Sequence, residues 1–440
     1  MSNVSLGIAV FGSMLTLMVL RVPISAAMFV PGAVAYWYLA GHAALLNFLK
    51  GAVYARFSLY DLSVIPLFIL MGQFATQGGL SRALFQFANA FVGHFRGGMA
   101  MAAIVACALF GAVCGSSVAT AATLAQVALP EMRRLQYSGR LATATLAVGG
   151  TLGILIPPSV PLVVYAILTE QNIAKLFLAA FIPGIIATIG YCLAIAIVVA
   201  RRPDLGPAQP RSTRVQRWRS FVEIWPVGAV FAVVFGGIYG GAFTPTEGAA
   251  VGAVGTFVAA LLRRELDARG IARCFLGTAV TAGMIFMVFL GADMLNGALA
   301  LSQIPAQLAQ WVTQVGWPPL AVVAGIIVLY IVMGFFMDEL STLILTIPVI
   351  FPAVMGLDLW GLSYTDKAIW FGILMLMVVE IGLIHPPVGL NVYVINSLAR
   401  DVPMMETFKG VVPFLISDFL RVILLFLFPV ISLCLVRLLS

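Results

Sequence analysis

Long apolar runs separated by short polar loops fill most of the chain. Many runs approach the length of about 20 residues that a helix needs to cross a bilayer, for example Val4 to Leu20 and Phe177 to Ala200. Such runs exceed the roughly ten-residue alternating segments of an outer-membrane barrel. The pattern therefore predicts an all-α polytopic membrane protein. The first run lacks a basic leader and continues into further apolar runs, so we expect it to be a retained membrane helix.

Two of the apolar runs contain a matching interruption. The first reads GGTLGILIPPS from Gly149 to Ser159, and the second reads EIGLIHPPVG from Glu380 to Gly389. Glycine weakens a helix, while a Pro-Pro pair removes amide donors and disfavours the helical conformation of the preceding residue. Each copy therefore predicts a break within a membrane helix, at about 141–168 and 369–398. Irregular backbone at membrane depth is tolerated where it lines a site or is buried in protein.

The two breaks belong to a longer correspondence between the halves of the chain. A shift of roughly 220 residues matches five features in the same order. They are Arg21-Val22-Pro23 with Phe243-Thr244-Pro245, Gly72 with Gly291, Gly115 with Gly334, Pro157-Pro158 with Pro386-Pro387, and Phe181-Ile182-Pro183 with Val411-Val412-Pro413. This order predicts an internal duplication of the transporter type. The first repeat covers 1–200 and the second covers 221–440, joined by a basic linker at 201–220.

The distribution of Lys and Arg orients the chain, because cytoplasmic loops are rich in these residues. When the six-arginine linker is placed in the cytoplasm, eighteen of the 24 Lys and Arg residues fall on that side. The amino terminus then lies outside, and each half crosses the membrane an odd number of times, which predicts inverted repeats. Charge counting does not separate a re-entrant hairpin from two full crossings. The polar tips at Gly115 to Ser117 and Gly334 to Thr342 favour re-entrant hairpins, at about 98–132 and 319–353.

Three further stretches carry local signals. Those at about 45–60 and 81–94 mix charge and aromatic residues at helical spacing, which predicts helices along the membrane surface, with loops or the ends of longer helices as the alternative. In Thr244-Pro245-Thr246-Glu247, proline and an acid stand where a helix would begin. We interpret this segment as structural.

Composition agrees with the membrane class and excludes others. The chain is 62% hydrophobic and 9% charged, against about 25% charged in soluble domains. The net charge of +7 lies in loops as an orientation signal, so nucleic-acid binding is not expected. Five cysteines without CxxC spacing predict neither structural disulfides nor zinc. No HExxH, GxSxG or phosphate loop is present, so we expect neither an enzyme nor an organic cofactor.

One hairpin and one broken helix in each half predict two sites near the midplane. Helix amino termini present amides to an anion there, while carbonyls and hydroxyls suit Na⁺, which prefers oxygen. The predicted first sodium site contains Gly115, Ser116, Ser117, Gly149, Gly150, Thr151 and Gly153, with Thr120 and Thr123 further along the tip. The alternative is that these small residues only allow close helix packing.

The predicted second sodium site adds charge. It contains Gly334, Met337, Asp338, Gly382 and Pro387. A carboxylate at the bilayer centre costs about 2.5–3.5 kcal/mol on insertion scales, so an acid there indicates function. Asp338 is the leading charged ligand.

Four other ionisable residues have more than one interpretation. Glu339 and Glu380 either take part in function, face water or pair with a neighbour, and Asp293 is gating, structural or a packing contact. His385 is a proton switch or a hydrogen-bonding filler. The anionic substrate is expected between the two sodium sites. The predicted substrate contacts are Ser116, Pro157, Pro158, Thr342, Pro386 and Asn391.

The chain resembles the large membrane subunit of tripartite ATP-independent periplasmic (TRAP) transporters over essentially its whole length. The resemblance rests on Gly111 to Thr123, Leu129 to Arg134, Gly153 to Ser159, Gly240 to Glu247 and Ile384 to Asn391. It implies uptake of organic anions, mostly carboxylates, driven by two or more Na⁺ ions across a bacterial inner membrane. It also implies a soluble periplasmic binding protein, a small four-helix membrane subunit and an elevator motion.

Alternatives to this interpretation remain open at this stage. The nearest is a stand-alone Na⁺/anion symporter or oxyanion permease of related architecture, which needs no binding protein. A channel or a membrane enzyme represents another class. The identity of the substrate is not readable from the sequence.

Overall fold

The computed structural model describes residues 3–314, 316–335 and 337–439, and these residues fold into α-helices joined by short loops. The first half contains α1 (Asn3–Val19), α2 (Ile24–Ala40), α3 (His42–Phe57), α4 (Val64–Gln77), α5 (Leu80–Val92), α6 (Gly98–Cys114), α7 (Ser117–Arg134), α8 (Gly139–Leu155), α9 (Val160–Thr169) and α10 (Ile173–Arg201). The second half contains α11 (Arg214–Tyr239), α12 (Pro245–Leu262), α13 (Ala268–Leu301), α14 (Ile304–Gln314), α15 (Pro319–Gly334), α16 (Glu339–Met355), α17 (Tyr364–Gly382), α18 (Leu390–Leu398), α19 (Met404–Leu427) and α20 (Val430–Leu439).

The structure has apolar helices of membrane-spanning length, as the pattern predicts. Six helical segments in the described residues satisfy the length and hydropathy of a membrane span, and a bent segment from His42 to Gln77 is a seventh candidate. The six are Gly139–Thr169, Ile173–Arg201, Arg214–Tyr239, Pro245–Leu262, Ala268–Leu301 and Met404–Leu427. The prediction of an all-α polytopic membrane protein is confirmed.

Local sequence explains the turn within each helical hairpin. After α6, Gly115 adopts a left-handed conformation (φ 65°) that favours glycine. Ser116 then caps α7 by accepting a hydrogen bond from Ala119 N at 3.4 Å. In the second hairpin, Asp338 caps α16 by accepting from Ser341 N at 3.2 Å. Each hairpin therefore reverses over a few residues and places a helix amino terminus at its tip.

The two interruptions separate short helices within the apolar runs. Helix α8 ends at Leu155, and Ser159 caps α9 by accepting from Leu162 N at 3.4 Å. Helix α17 ends at Gly382, and α18 begins after Gly389, which has a φ of 62°. Both Pro-Pro bonds are cis.

The order of helices in the second half follows that in the first, with two visible differences. The bent pair α3 and α4 corresponds to the single long helix α13, and α20 has no counterpart before the linker. The two surface stretches form α3 and α5, whereas α14 and α20 are helices that the sequence pattern did not separate from their neighbours. The inverted orientation of the halves stays a prediction.

The start of α12 and the end of α16 show how side chains complete backbone hydrogen bonds at helix ends. Thr244 and Glu247 form a capping box at the start of α12, which confirms the structural interpretation of that segment. The buried Lys367 amine donates to the carbonyls of Met355, at 2.9 Å, and Leu357, beyond the end of α16. The capping box and the Lys367 contact with Met355 both satisfy groups that a helix leaves without intrahelical partners.

The most deeply buried helices are the ones that lead into the breaks. All residues from Leu141 to Leu155 of α8 and from Lys367 to Gly382 of α17 are buried. The α6–α7 hairpin packs on α8, and α15 packs on α17. Outside this centre, α2 packs along α13 and α4 packs along α12. Helices α8 and α17 therefore lie in the core of the protein, and α2, α4, α12 and α13 form a second packed group.

Asp293 on α13 is explained by an ion pair that joins this second group to α3. Arg56 of α3 donates from Nε to Asp293 Oδ2 at 2.6 Å and forms a second hydrogen bond to the other carboxylate oxygen. The side chains are only 20% and 17% exposed. Bidentate pairing of a guanidinium with a carboxylate is strong when solvent is partly excluded. Of the three interpretations of Asp293, the structure supports the structural one.

We expect Asp293→Asn to destabilise the protein by about 1–3 kcal/mol, because it removes a charge-assisted pair that is largely shielded from water. The matched control is Asp401→Asn, which breaks the exposed pair with Arg133, whose side chains are 45% and 61% exposed. Exposed pairs contribute about 0–1 kcal/mol. Thermal unfolding in detergent should separate the two variants, and equal losses would contradict the structural role of Asp293.

Candidate functional site

The tip of the first hairpin lies against the first break at contact distance. A Cβ atom added to Gly153 would lie 2.4 Å from Thr120 Oγ1 and 2.6 Å from the Ser116 carbonyl oxygen. A Cβ on Gly150 would lie 3.0 Å from the Ser117 carbonyl oxygen. Real Cβ atoms essentially never approach closer than 3.0 Å, so only glycine permits this packing. The structure thus brings together four of the predicted first-site residues, Ser116, Ser117, Gly150 and Gly153, and with them Thr120, which the sequence placed further along the same tip.

The contact between tip and break contains buried oxygen atoms with unused hydrogen-bonding capacity. Thr120 Oγ1 and Asn391 Oδ1 have no hydrogen-bond partner among the described residues. Asn391 reaches this place from α18, where its amide nitrogen donates to Ser117 Oγ at 2.7 Å and to the Ala147 carbonyl at 3.1 Å. Buried polar groups are normally paired, so unpaired oxygens beside hydroxyls and carbonyls fit a hard cation such as Na⁺.

The Thr151 hydroxyl, a predicted member of the first site, is directed away from the tip. It donates to the Val148 carbonyl at 2.8 Å and shares a hydrogen bond with Tyr191 OH at 3.2 Å. Gly149 packs on α6, where the Cys107 sulfur would lie 2.7 Å from an added Cβ. Its carbonyl, which is the predicted ligand, stays a prediction.

The second tip and break also meet through glycine. A Cβ on Gly382 would lie 2.6 Å from the backbone of Gly334. Asp338 is half-buried at the start of α16 and caps that helix, and Met337 beside it is buried. Pro387 is exposed and lies beyond the end of α17. The structure therefore brings Gly334 and Gly382 together and supplies a carboxylate nearby, but it does not place the Pro387 side chain in a buried site.

The structure shows what surrounds Glu380, His385 and Glu339. Glu380 is 1% exposed and faces Arg421, with 3.4 Å between Glu380 Oε2 and Arg421 Nη2. His385 is partly buried, and its ring stacks on Phe335 with centroids 4.9 Å apart. Glu339 is 8% exposed and lies in the wall of a cavity. Glu380 is therefore a member of a buried ion pair, while Glu339 faces an internal space.

This cavity lies between the two hairpin tips and the second group of helices. Its volume is about 110 Å³. Its wall contains Ile69, Gly72, Gln73, Thr76, Cys114, Gly115, Ser116, Ala119, Val160, Pro161, Thr281, Ile285, Glu339 and Leu340. The amino-terminal ends of α7 and α9 meet it at Ser116 and Val160, where backbone amides and the helix dipole favour an anion.

Of the predicted substrate contacts, only Ser116 lines this cavity. Pro157 and Pro158 are buried outside its wall, and Pro386 is exposed. Thr342 donates to the Asp338 carbonyl at 2.8 Å, and Asn391 contacts the first tip. These five residues complete or support the tips and breaks and do not face the cavity.

Sequence reasoning missed the polar side chains that α4 and α13 contribute. Gln73 and Thr76 lie three residues apart on α4, and Thr281 lies on α13. Residues at this spacing share one face of a helix. The signal is present in the sequence, since polar residues at helical spacing within an apolar run indicate an internal polar surface. The sequence-based prediction instead assigned the substrate contacts to the prolines of the breaks.

Comparison with known proteins places the chain in one family. The family profile described as "Tripartite ATP-independent periplasmic transporter, DctM component" matches residues 11–431. The C4-dicarboxylate TRAP transporter large permease protein DctM of Pseudomonas aeruginosa is 37% identical over 379 residues, which are 86% of this chain and 86% of that protein. The sialic acid TRAP transporter large permease protein SiaM of Vibrio cholerae is 28% identical over 387 residues, with 87% and 88% covered.

A solved structure supports the fold. The YdaH transporter of Alcanivorax borkumensis, whose structure is described as having an unusual topology, aligns with a TM-score of 0.62 at 13% identity. The alignment covers 88% of this chain and 89% of that one. The family match over residues 11–431 and the 37% identity to DctM show that this chain belongs to the DctM-type large permease family of tripartite ATP-independent periplasmic transporters.

Proposed function

We propose that this permease is a Na⁺-coupled secondary transporter subunit that imports an organic anion. The observation that carries the proposal is the first tip and break, where buried Thr120 and Asn391 oxygens have no hydrogen-bond partner among the described residues. These oxygens lie beside the wall of a cavity that Ser116 shares. An ion held there stabilises the same backbone that contacts the substrate.

Na⁺ at the first site would draw on Thr120, Asn391, the Ser116 and Ser117 backbone and the carbonyls of the break. Binding would hold the α6–α7 tip against α8 and so fix Ser116 and the amino terminus of α7 at the cavity wall. The second site acts on the opposite wall, because Asp338 precedes Glu339 and Leu340, which line the cavity. Coupling then requires only that the ion-bound arrangement binds substrate better than the ion-free one.

The position of the cavity supports an elevator motion. One side of its wall belongs to the hairpin tips and to α9, and the other belongs to α4 and α13. A substrate held between two packed groups of helices can be carried across when one group slides against the other. We propose that the hairpins and broken helices move and that the group of α2, α4, α12 and α13 stays in place.

The family suggests the partners of this chain and the membrane in which it lies. We propose that a soluble periplasmic binding protein delivers the substrate and that a small four-helix membrane subunit packs against this chain in a bacterial inner membrane. From the charge distribution we propose that the amino terminus lies in the periplasm and the arginine-rich linker in the cytoplasm. Proteoliposomes with all three components test the proposal, because uptake should require an inward Na⁺ gradient. Equal uptake without that gradient, or by this chain alone, would contradict it.

The substrate is proposed to be a carboxylate that also carries a hydroxyl or amino group. Helix amino termini at one side of the cavity favour the carboxylate, while the Glu339 side chain at the other side favours a hydroxyl or amino group that can hydrogen-bond to it. The two relatives compared above are named for C4-dicarboxylates and for sialic acid, and both of these are carboxylate substrates.

For the substrate, mass spectrometry of the ligand that copurifies with the binding protein is the first measurement. We expect a small acid with at least one hydroxyl or amino group, because Glu339 needs a donor opposite it. A ligand that has carboxylates and no donor group would contradict this assignment.

Gly153→Ala is expected to weaken Na⁺ binding at the first site by about tenfold or more, since overpacking a close contact costs about 1–3 kcal/mol. The added methyl would lie 2.4 Å from Thr120 Oγ1. The control is Gly283→Ala in α13, where no atom lies within 4 Å of an added Cβ. Na⁺-dependent thermal stabilisation in lipid nanodiscs measures both, and retained Na⁺ affinity in Gly153→Ala would place the ion elsewhere.

Asp338→Asn should raise the Na⁺ concentration for half-maximal uptake roughly tenfold, the scale of losing one charge-assisted contact. Asparagine caps a helix about as well as aspartate, so α16 should remain folded. The control is Asp358→Asn, which removes an exposed carboxylate that accepts from Gly361 N at 3.3 Å in a loop. Unchanged Na⁺ dependence in Asp338→Asn would exclude Asp338 from the ion site.

A further inference from the structure

A buried polar cluster joins the two broken helices on the side away from the cavity. It consists of Thr151 on α8, Tyr191 on α10, Glu380 on α17, and Asp418 and Arg421 on α19, none more than 4% exposed. Ionisable groups are costly in the membrane interior and mark function more often than structure. No residue of this cluster lines the cavity.

The contacts run continuously from one broken helix to the other. Thr151 Oγ1 and Tyr191 OH share a hydrogen bond at 3.2 Å. Arg421 Cζ lies 5.7 Å from the centre of the Tyr191 ring, a cation–π distance. Arg421 Nη2 then lies 3.4 Å from Glu380 Oε2 and 3.0 Å from Asp418 Oδ1.

The paired residues occupy equivalent positions in the two halves. Thr151 and Glu380 each lie six residues before the first proline of their Pro-Pro pair. Tyr191 and Arg421 each lie eight residues after the proline within their helix, Pro183 in α10 and Pro413 in α19. The same two positions therefore pair as a hydrogen bond in the first half and as an ion pair in the second, and Tyr191 contacts Arg421 between the halves.

Each end of the cluster is two residues from a predicted ion site. Gly153, which follows Thr151 on α8, packs on Ser116 and Thr120, and Gly382, which follows Glu380 on α17, packs on Gly334. Both pairs lie on continuous helix. A shift of either helix as its tip closes will therefore move one end of the cluster.

The cluster can change its pairing without exposing a charge to water. Glu380 Oε1 and the Nε and Nη1 atoms of Arg421 have no hydrogen-bond partner among the described residues. Two carboxylates, those of Glu380 and Asp418, compete for one guanidinium. In a low-dielectric interior, such exchanges carry large energies. These are the properties of an element with two arrangements, which coupling between distant sites requires.

We propose that Tyr191 and Arg421 are positioning residues that couple the two ion sites, so that Na⁺ at one site raises the affinity of the other. This proposal rests on the proposed Na⁺ function. In it, the cluster contributes to the cooperativity of ion binding and does not contact Na⁺ or substrate directly.

Equilibrium binding of radiolabelled Na⁺ to the full chain in lipid nanodiscs tests the coupling. Wild type should bind with a Hill coefficient above 1. Tyr191→Phe keeps the ring over Arg421 and removes only the hydroxyl that contacts Thr151, so the Hill coefficient should fall toward 1 with the same number of ions bound. Half-saturation should move to about fivefold higher Na⁺, the lower range of typical coupling.

The matched control is Tyr137→Phe, which also removes a buried phenol hydrogen bond. Tyr137 OH donates to the Pro207 carbonyl at 3.0 Å and accepts from Met99 N, near the arginine-rich linker. Its loss should leave the Hill coefficient unchanged. Arg421→Lys is the second variant, since lysine keeps the charge but lacks the planar fork that reaches both carboxylates. It should lower the Hill coefficient as Tyr191→Phe does.

The outcomes separate the coupling from the function on which it rests. Absence of Na⁺ binding by wild type would overturn both. Wild-type binding with a Hill coefficient of 1, or an unchanged Hill coefficient in Tyr191→Phe, would overturn the coupling alone. Loss of bound ions in Tyr191→Phe, with the remaining sites unchanged in affinity, would show a purely structural role and would also overturn the coupling.

Discussion

A broken helix inside a membrane leaves amide and carbonyl groups that lipid cannot pair, and the protein must cover them with other polar backbone. Here the helix that leads into each break packs against the tip of a hairpin, and the two backbones approach so closely that no side chain fits between them. Gly153 against Ser116 and Gly382 against Gly334 are the decisive contacts. The rest of the fold serves this arrangement, because α8 and α17 must be buried along their length to hold the breaks in place.

The same close approach creates the conditions for function. Where two backbones meet in a water-poor interior, their carbonyls and hydroxyls form an oxygen-rich environment that a small cation can neutralise. The tips also carry helix amino termini to the cavity wall at Ser116 and Val160. In the proposed function, ion binding behind the wall and anion binding at its surface involve the same few residues, which would give a direct physical route for coupling.

The two halves solve the same problem with different chemistry. The proposed first site would use neutral oxygens, including Asn391 Oδ1 from the second half. The second has the Asp338 carboxylate at its tip. The difference continues at the equivalent positions of the buried cluster, where Thr151 and Tyr191 in one half correspond to Glu380 and Arg421 in the other. If the halves are repeats, as the sequence predicts, the two proposed sites therefore differ in charge.

The sequence by itself determined the membrane class, the positions of both breaks and the small residues at the tips, because these depend on local properties: hydropathy, the missing amide of proline and the absent side chain of glycine. Only the tertiary structure decided which polar atoms meet. Thr151 faces Tyr191 instead of the tip, and Asn391 donates to Ser117 at the first tip. Gln73, Thr76 and Thr281 reach the cavity from helices distant in the chain. Such contacts depend on the rotation and depth of packed helices, and in a chain this apolar the helical period does not fix either one.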